Sequence, residues 1–264
     1  MKIITTPWKN EFLELVSNSI KSIKITSPFV KENICDELLS KKRDITQLEL
    51  ITSFKLPNIY SGSLDLSALN KIIESNGTVK NFSRLHSKIY LFDDKKVIIT
   101  SGNLTNGGLI NNYEYGIYSD DKLFVLKVVS DFENISKNEN TGIVKKSDIN
   151  TAKEILLKIP KVIVQKLPKF SIETSDERLD ILEIPAESIT SSLSGWKLEI
   201  FNCVNSIPNQ FFSLKDFNEF EYNLGKKYPT NTRIKAKIRQ QLQNLRDLGL
   251  IEFLGNGHYK KLWK

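Results

Sequence analysis

The sequence predicts an α/β sandwich followed by a small module of three helices and a β-hairpin. Three observations carry that prediction. Up to about residue 132, stretches with apolar residues three and four apart alternate with short stretches of period two. From Trp196 the pattern becomes helical only, until an Asn256-Gly257 pair marks a tight hairpin near the end. The charge changes over the same boundary. Residues 191–264 hold 12 Lys and Arg against 6 Asp and Glu, whereas the preceding 190 residues hold 26 against 25.

Taken in order, Glu11 to Val16 opens an amphipathic helix that runs to about Ile20, and Ser22 to Ser27 alternates as a strand. Ile34 to Leu39 reads as a helix, Leu48 to Thr52 as a strand, and Leu66 to Ile73 as a helix. Two close strands follow near 84–92 and 96–101, a third covers 113–118, and Leu123 to Phe132 returns to helix. Residues 134–150 are rich in Asn, Lys and Ser and read as a loop, with a helix from Ala152 to Lys158. Pro160, Pro168 and Pro185 punctuate a stretch without a clean period.

In the last module, Trp196, Ile200, Val204 and Ile207 share one helical face. Ser213 is placed to cap a second helix that runs to Leu224, with Gly225 as its stop. A third helix runs from Asn231 to Leu248 and is closed by Gly249. The strand Ile251 to Leu254 then turns at Gly255-Asn256-Gly257 into His258 to Leu262. Three helices and a hairpin in this order form the winged-helix layout. The expected domains are 1–159 and 195–264, joined by a connector over 160–194.

Composition removes several classes of function. Apolar residues make up 40% of the 264 and charged residues 26%, as in a soluble globular chain. No apolar run approaches the roughly 18 residues of a membrane span, so no membrane partner is expected. The amino terminus lacks the apolar core of a signal peptide, and cytoplasmic residence is the expectation. Cys35 and Cys203 stand alone, which excludes a disulfide framework or a cysteine-based zinc site. A basic module of net charge +6 attached to a nearly neutral body suggests a polyanion reader on a domain of different purpose.

The chemistry concentrates in Leu85-His86-Ser87-Lys88-Ile89-Tyr90-Leu91-Phe92-Asp93. His86 and Lys88 are two apart on an expected strand, so their side chains leave one face, while Leu85, Ile89 and Leu91 bury the other. Ser101 and Asn103 share a face at the end of the next strand. A hairpin around Asp93-Asp94-Lys95-Lys96 brings imidazole, ammonium, hydroxyl and carboxamide to one sheet end. Glu114 offers a carboxylate on a further strand. A phosphodiester repels nucleophiles until its charge is neutralised. Lys88 supplies a cation and Ser101 and Asn103 supply donors for that purpose, while His86 can attack phosphorus.

This pattern resembles the phospholipase D superfamily, whose signature is H-x-K-x4-D-x6-G-S-x-N with a glutamate some ten residues on. His86, Lys88, Asp93, Ser101 and Asn103 match at the required spacings, and Glu114 stands where the glutamate would. Thr100 replaces the first glycine, which affects the local turn more than the chemistry. The resemblance implies an α/β/α sandwich and metal-independent cleavage through a phosphohistidine on His86. It also implies a supporting role for Asp93; Glu114 is suited to hold the imidazole. No cofactor and no metal are expected. The family uses two such motifs per active site. The chain has only His86 and His258, and the latter lies outside any motif. By resemblance to the superfamily's single-motif nucleases, a homodimer with one composite site on its twofold axis is expected.

The third helix of the carboxy-terminal module buries Ile234, Ile238, Leu242, Leu245 and Leu248 as a stripe. The expected DNA contacts are Arg233, Lys235, Lys237, Arg239, Gln240, Gln241, Gln243, Asn244 and Arg246, with His258, Tyr259, Lys260 and Lys261 on the wing. The segments around Trp196–Ile200, Phe212–Asp216, Ile238–Asp247 and Ile251–Gly255 resemble the carboxy-terminal winged helix of methyladenine-directed and Dam-replacing restriction endonucleases. That resemblance implies binding to double-stranded DNA with some sequence preference. The two halves together point to a type II-like restriction endonuclease, and a cognate DNA methyltransferase acting on the same site is the further partner such a system implies. The rival readings are a DNA-binding regulator whose nuclease-like domain only dimerises, and a non-specific DNA-degrading nuclease.

Overall fold

The computed structural model describes residues 1–158 and 186–263. They divide into two units, residues 1–54 with 61–149, and residues 55–60 with 150 onward. The first unit is an eight-stranded sheet in the order β1-β7-β6-β5-β2-β3-β4-β8. Its strands are β1 (Lys2–Thr5), β2 (Ser22–Thr26), β3 (Gln47–Thr52), β4 (Thr78–Phe82), β5 (Ile89–Phe92), β6 (Lys96–Thr100), β7 (Tyr115–Ser119) and β8 (Thr141–Ile143). The pairs β2–β3 and β3–β4 are parallel, and the other neighbours run antiparallel.

The period-two alternation of β5 sends successive side chains to opposite faces. Tyr90 and Phe92 meet Trp8 and Phe12, the latter on α1 (Lys9–Asn18), in edge-to-face ring contacts. Leu91 packs with Leu85, Val97 and Ile51 against Val125, Val128 and Phe132 of α5 (Lys122–Ser136). Helices therefore cover both faces, as an α/β/α sandwich requires. The helices α2 (Glu32–Lys41) and α4 (Leu66–Glu74) bury Ile34, Leu38, Leu69 and Ile72. The short helix α3 (Leu56–Tyr60) belongs to the second grouping, and the division falls within α6 (Lys146–Leu157).

The expected loop over 134–150 is corrected. It contains β8 and the start of α6. A three-residue edge strand is too short to show alternation in the sequence. The expected strand over 84–92 begins only at Ile89. Thr26 ends β2 and takes the Ile89 amide on its Oγ1, and it also donates to the Ser87 carbonyl. Residues 85–88 are thus an extended arm leading into β5.

The second unit contains α7 (Ala186–Thr190), α8 (Gly195–Ser206), β9 (Phe211–Ser213), a 3-10 turn (Leu214–Phe217), α9 (Asn218–Lys227), α10 (Ile234–Asp247), β10 (Ile251–Gly255) and β11 (His258–Lys261). The three strands pair antiparallel in the order β10-β11-β9. Residues 160–185 of the expected connector lie outside the described residues, and 186–190 form α7. Gly225 does not stop α9, which continues to Lys227. A glycine in a helix costs only about 1 kcal/mol, which the surrounding structure overrides. The third helix starts at Ile234 rather than Asn231, whose Oδ1 instead caps the Arg233 amide at 2.9 Å. The hairpin turn is as expected, with φ of +91, +48 and +72° at Gly255, Asn256 and Gly257.

Candidate active site and nucleic-acid interface

Strand direction decides which residues can meet. Since β5 runs against both β2 and β6, the carboxyl end of β6 lies at the same sheet edge as the amino end of β5. The amino end of β7 and the carboxyl end of β1 lie there too. His86 and Lys88 precede β5, Ser101 and Asn103 follow β6, and Glu114 precedes β7. Backbone bonds from Thr100 to the Lys88 carbonyl and from Ser101 to the Tyr115 carbonyl, each 3.1 Å, hold the three strands in register at that edge.

His86 is exposed and Lys88 is buried, with the Lys88 ammonium 3.5 Å from Nδ1 of the imidazole. Ser101 donates its hydroxyl proton to Oε2 of Glu114, and Asn112 donates to Oε1 at 3.2 Å. The Asn103 carboxamide oxygen accepts the Phe29 amide at 3.4 Å. The expectation that Glu114 holds the imidazole is corrected for the single chain. Its two oxygens accept from Ser101 and Asn112 instead.

Asp93, expected in a supporting role, stands away from the other motif residues. It lies at the opposite end of β5, roughly 13 Å of strand away. Its carboxylate accepts the amides of Ile20, Lys21 and Ser22 at 2.7–3.1 Å and ties the β5–β6 turn to the start of β2. Burial alone would raise its pKa, but the amides of Ile20, Ser22 and Lys21, with Lys95, hold it below the ordinary value. Stability from this ion is present above the unfolded-state value of about 4 and is lost as pH falls through the lower folded value. Asp93→Ala is expected to lower Tm by a few degrees at pH 7. The difference from the parent should close below about pH 4. Thermal melts across pH check it, and a gap that persists undiminished at pH 2 would contradict the assignment.

The sequence reading missed the supports of the site. A π-helical turn, Gly107–Asn111, packs its Gly108 against the backbone of Gly102 and Asn103, so closely that a Cβ at either glycine would meet backbone atoms. Trp8 donates its indole proton to the Gly108 carbonyl at 2.8 Å, and Tyr90 donates its hydroxyl to the Gly102 carbonyl at 2.9 Å. Burial, opposed by a hydrogen bond with Ser27 and reinforced by the charge of Glu114, raises the Tyr90 pKa. Thr6 accepts the Glu114 amide and bonds the Asn112 carbonyl. The Gly-Gly pair at 107–108 is the signal that could have found this turn. Thr100, where the family pattern has glycine, fits because Gly116 lies opposite. A Cβ at Gly116 would come within 2.6 Å of Thr100 Cβ.

In the second unit, the apolar stripe of α10 buries Ile238, Leu242 and Leu245. Arg233, Lys235, Arg239, Gln240 and Gln243 are exposed, as is His258, while Lys237, Asn244 and Lys260 are half-buried. Lys235 pairs with Glu221 at 3.6 Å, and Lys237 donates to Gln240 at 2.8 Å. Four expected contacts are corrected, because Gln241, Arg246, Tyr259 and Lys261 are buried. Gln241 lies at helical spacing within the stripe and accepts from Asn244 at 3.1 Å. Arg246 pairs with Asp247 at 2.8 Å and lies over the Phe253 ring. Tyr259 stacks on Phe212, and burial, opposed by Arg239 and Arg246, pushes its pKa up to about 12. Lys261 donates to the Ile207 carbonyl, and its pKa is lowered by burial.

The fold is an α/β/α sandwich in the first unit and a winged-helix arrangement in the second. Residues 12–136 match the PLD-like domain of cardiolipin synthase, and residues 192–261 match the Dam-replacing HTH domain. The DISARM protein DrmC of Bacillus paralicheniformis is 35% identical over 51 residues, 19% of this chain and 21% of that protein. The chain thus matches about a fifth of that relative's length. Among solved structures, NucT from Helicobacter pylori is 20% identical with a TM-score of 0.43 over 51% of this chain and 93% of that one. Nuc from Salmonella typhimurium, a phospholipase D family member, is 14% identical with a TM-score of 0.47 over 55% and 97%. No helix of the described residues is long and apolar enough to cross a membrane.

Proposed function

We propose that this chain is a restriction-type endonuclease that hydrolyses phosphodiester bonds in double-stranded DNA. One observation carries the reading. An exposed imidazole stands beside a buried ammonium at a sheet edge, with Ser101, Asn103 and Glu114 just beyond the ends of the neighbouring strands. The unit contains no second histidine, so one chain supplies half of an acid–base pair. A homodimer completes it. Tyr113 and Tyr115, both exposed beside Glu114, supply apolar surface for a second copy to cover.

In this reading a ring nitrogen of His86 attacks phosphorus, and the bond to the 3′ oxygen breaks. That oxygen takes a proton from His86 of the partner subunit. Water then attacks phosphorus, returns a proton to that histidine, and the phosphorus–nitrogen bond breaks. Lys88 neutralises charge on the phosphoryl oxygens throughout, the task a metal performs elsewhere. The winged helix selects the site through Arg239, Gln240 and Gln243.

Digestion of supercoiled plasmid, methylated and unmethylated, in EDTA tests the proposal. A nicked intermediate should precede linear DNA, because one composite site cuts the strands in turn. The ends should be 5′-phosphate and 3′-hydroxyl, and the fragments discrete. Cleavage that requires added magnesium would overturn the mechanism, and a smear of fragments would favour a non-specific nuclease. Binding without cleavage in any condition would favour the regulator.

A further inference from the structure

We infer that the wing of the carboxy-terminal module holds a nucleobase pocket, which takes an extrahelical base carrying an exocyclic amine. The inference rests on the reading that this module binds DNA. A cavity of about 490 Å³ opens between β9 and the β10–β11 turn. Its floor includes Phe212 and Tyr259, stacked with ring centroids 5.0 Å apart. Phe211, 59% exposed, and Leu254 line its walls. An exposed aromatic face can stack a base of any sequence.

The polar groups argue for a base rather than a phosphate. Among the described residues no Lys or Arg lines the cavity, and Asp216 does. A carboxylate repels a phosphate but accepts a hydrogen bond from the amine of adenine or cytosine. Oδ2 of Asp216 is held by the Ser213 amide and hydroxyl at 2.6 and 3.0 Å. Among the described residues Oδ1 has no partner. The exposed imidazole of His258 offers a further donor or acceptor, and among the described residues that ring makes no hydrogen bond. The cations stand outside the cavity. Lys260 lies 6.0 Å over the Phe211 ring, and the exposed Lys215 neighbours Asp216 in sequence. Base inside and cations outside is the layout a nucleotide presents.

The test measures binding of the full chain, carrying His86→Ala to prevent cleavage, to duplexes with one bulged nucleotide. A bulged adenine or cytosine should bind about tenfold more tightly than the paired duplex, as expected for one base stacked on an aromatic ring. A bulged thymine should show less gain. Phe211→Ala should remove the gain and leave paired-duplex affinity unchanged, while Phe211→Trp should retain it. Equal affinity for bulged and paired DNA overturns the pocket, as does a gain that survives both Phe211→Ala and Leu254→Ala. Equal gains for thymine and adenine overturn the amine assignment. Loss of paired-duplex binding in the parent would instead overturn the DNA-binding reading itself.

Discussion

His86→Ala should abolish DNA cleavage, by roughly ten-thousand-fold or more, while leaving DNA affinity unchanged. The size follows from the chemistry. Without the imidazole no phosphorus–nitrogen bond can form, and the residual rate reflects positioning and charge neutralisation alone. Binding survives because the winged helix lies outside the unit that holds His86 and has its own core of Phe201, Phe217, Leu242 and Leu245. The variant should also act on its parent. In a composite site each half supplies one histidine, so excess His86→Ala chain should suppress wild-type cleavage by forming mixed dimers. Reactions quenched in alkaline detergent with 3′-end-labelled DNA should trap an alkali-stable, acid-labile covalent protein–DNA adduct in the parent only. Cleavage within a few-fold of wild type in the variant, or a parent indifferent to excess variant, would remove the proposed mechanism.

Gly108→Ala should lower kcat about a hundredfold and cost about 1–3 kcal/mol of stability. The added methyl would meet the amide nitrogen and carbonyl oxygen of Asn103, and backbone cannot swing aside as a flexible side chain can. The loop that carries Asn103 must move, and displacements near 1 Å at a reacting centre cost about that factor. Because the change lies in the first unit, affinity for DNA through α10 should not alter. Single-turnover cleavage and thermal melts check it. A variant with wild-type kcat would mean that the 102–108 contact does not position Asn103. Gly107→Ala is the comparison, since its added Cβ would meet only the Asn112 side chain, at 3.2 Å, and a much smaller loss is expected.

The local periodicities were legible where elements are long. The apolar spacing of α5 and α10, and the Asn256-Gly257 turn, follow from residues close together in the chain. The catalytic candidates were legible for another reason. His86, Lys88, Ser101 and Asn103 lie within 18 residues that flank one hairpin, so a single turn between β5 and β6 brings them to one sheet end. Short edge strands such as β1 and β8 escaped, because three or four residues carry no measurable period.

The sequence by itself determined the residue types at the site, the alternation of helices and strands that makes an α/β sandwich, the winged-helix order, and the concentration of positive charge in the last 74 residues. These depend on spacing and composition, which the chain states directly. Only the tertiary structure decided that Asp93 braces the far end of β5, and that Glu114 is held by Ser101 and Asn112 rather than by the imidazole. It also decided that Gln241, Arg246, Tyr259 and Lys261 serve the core of the module rather than its surface. A polar side chain's partner is chosen by which strands and helices are brought alongside it, and burial follows from packing between segments distant in the chain.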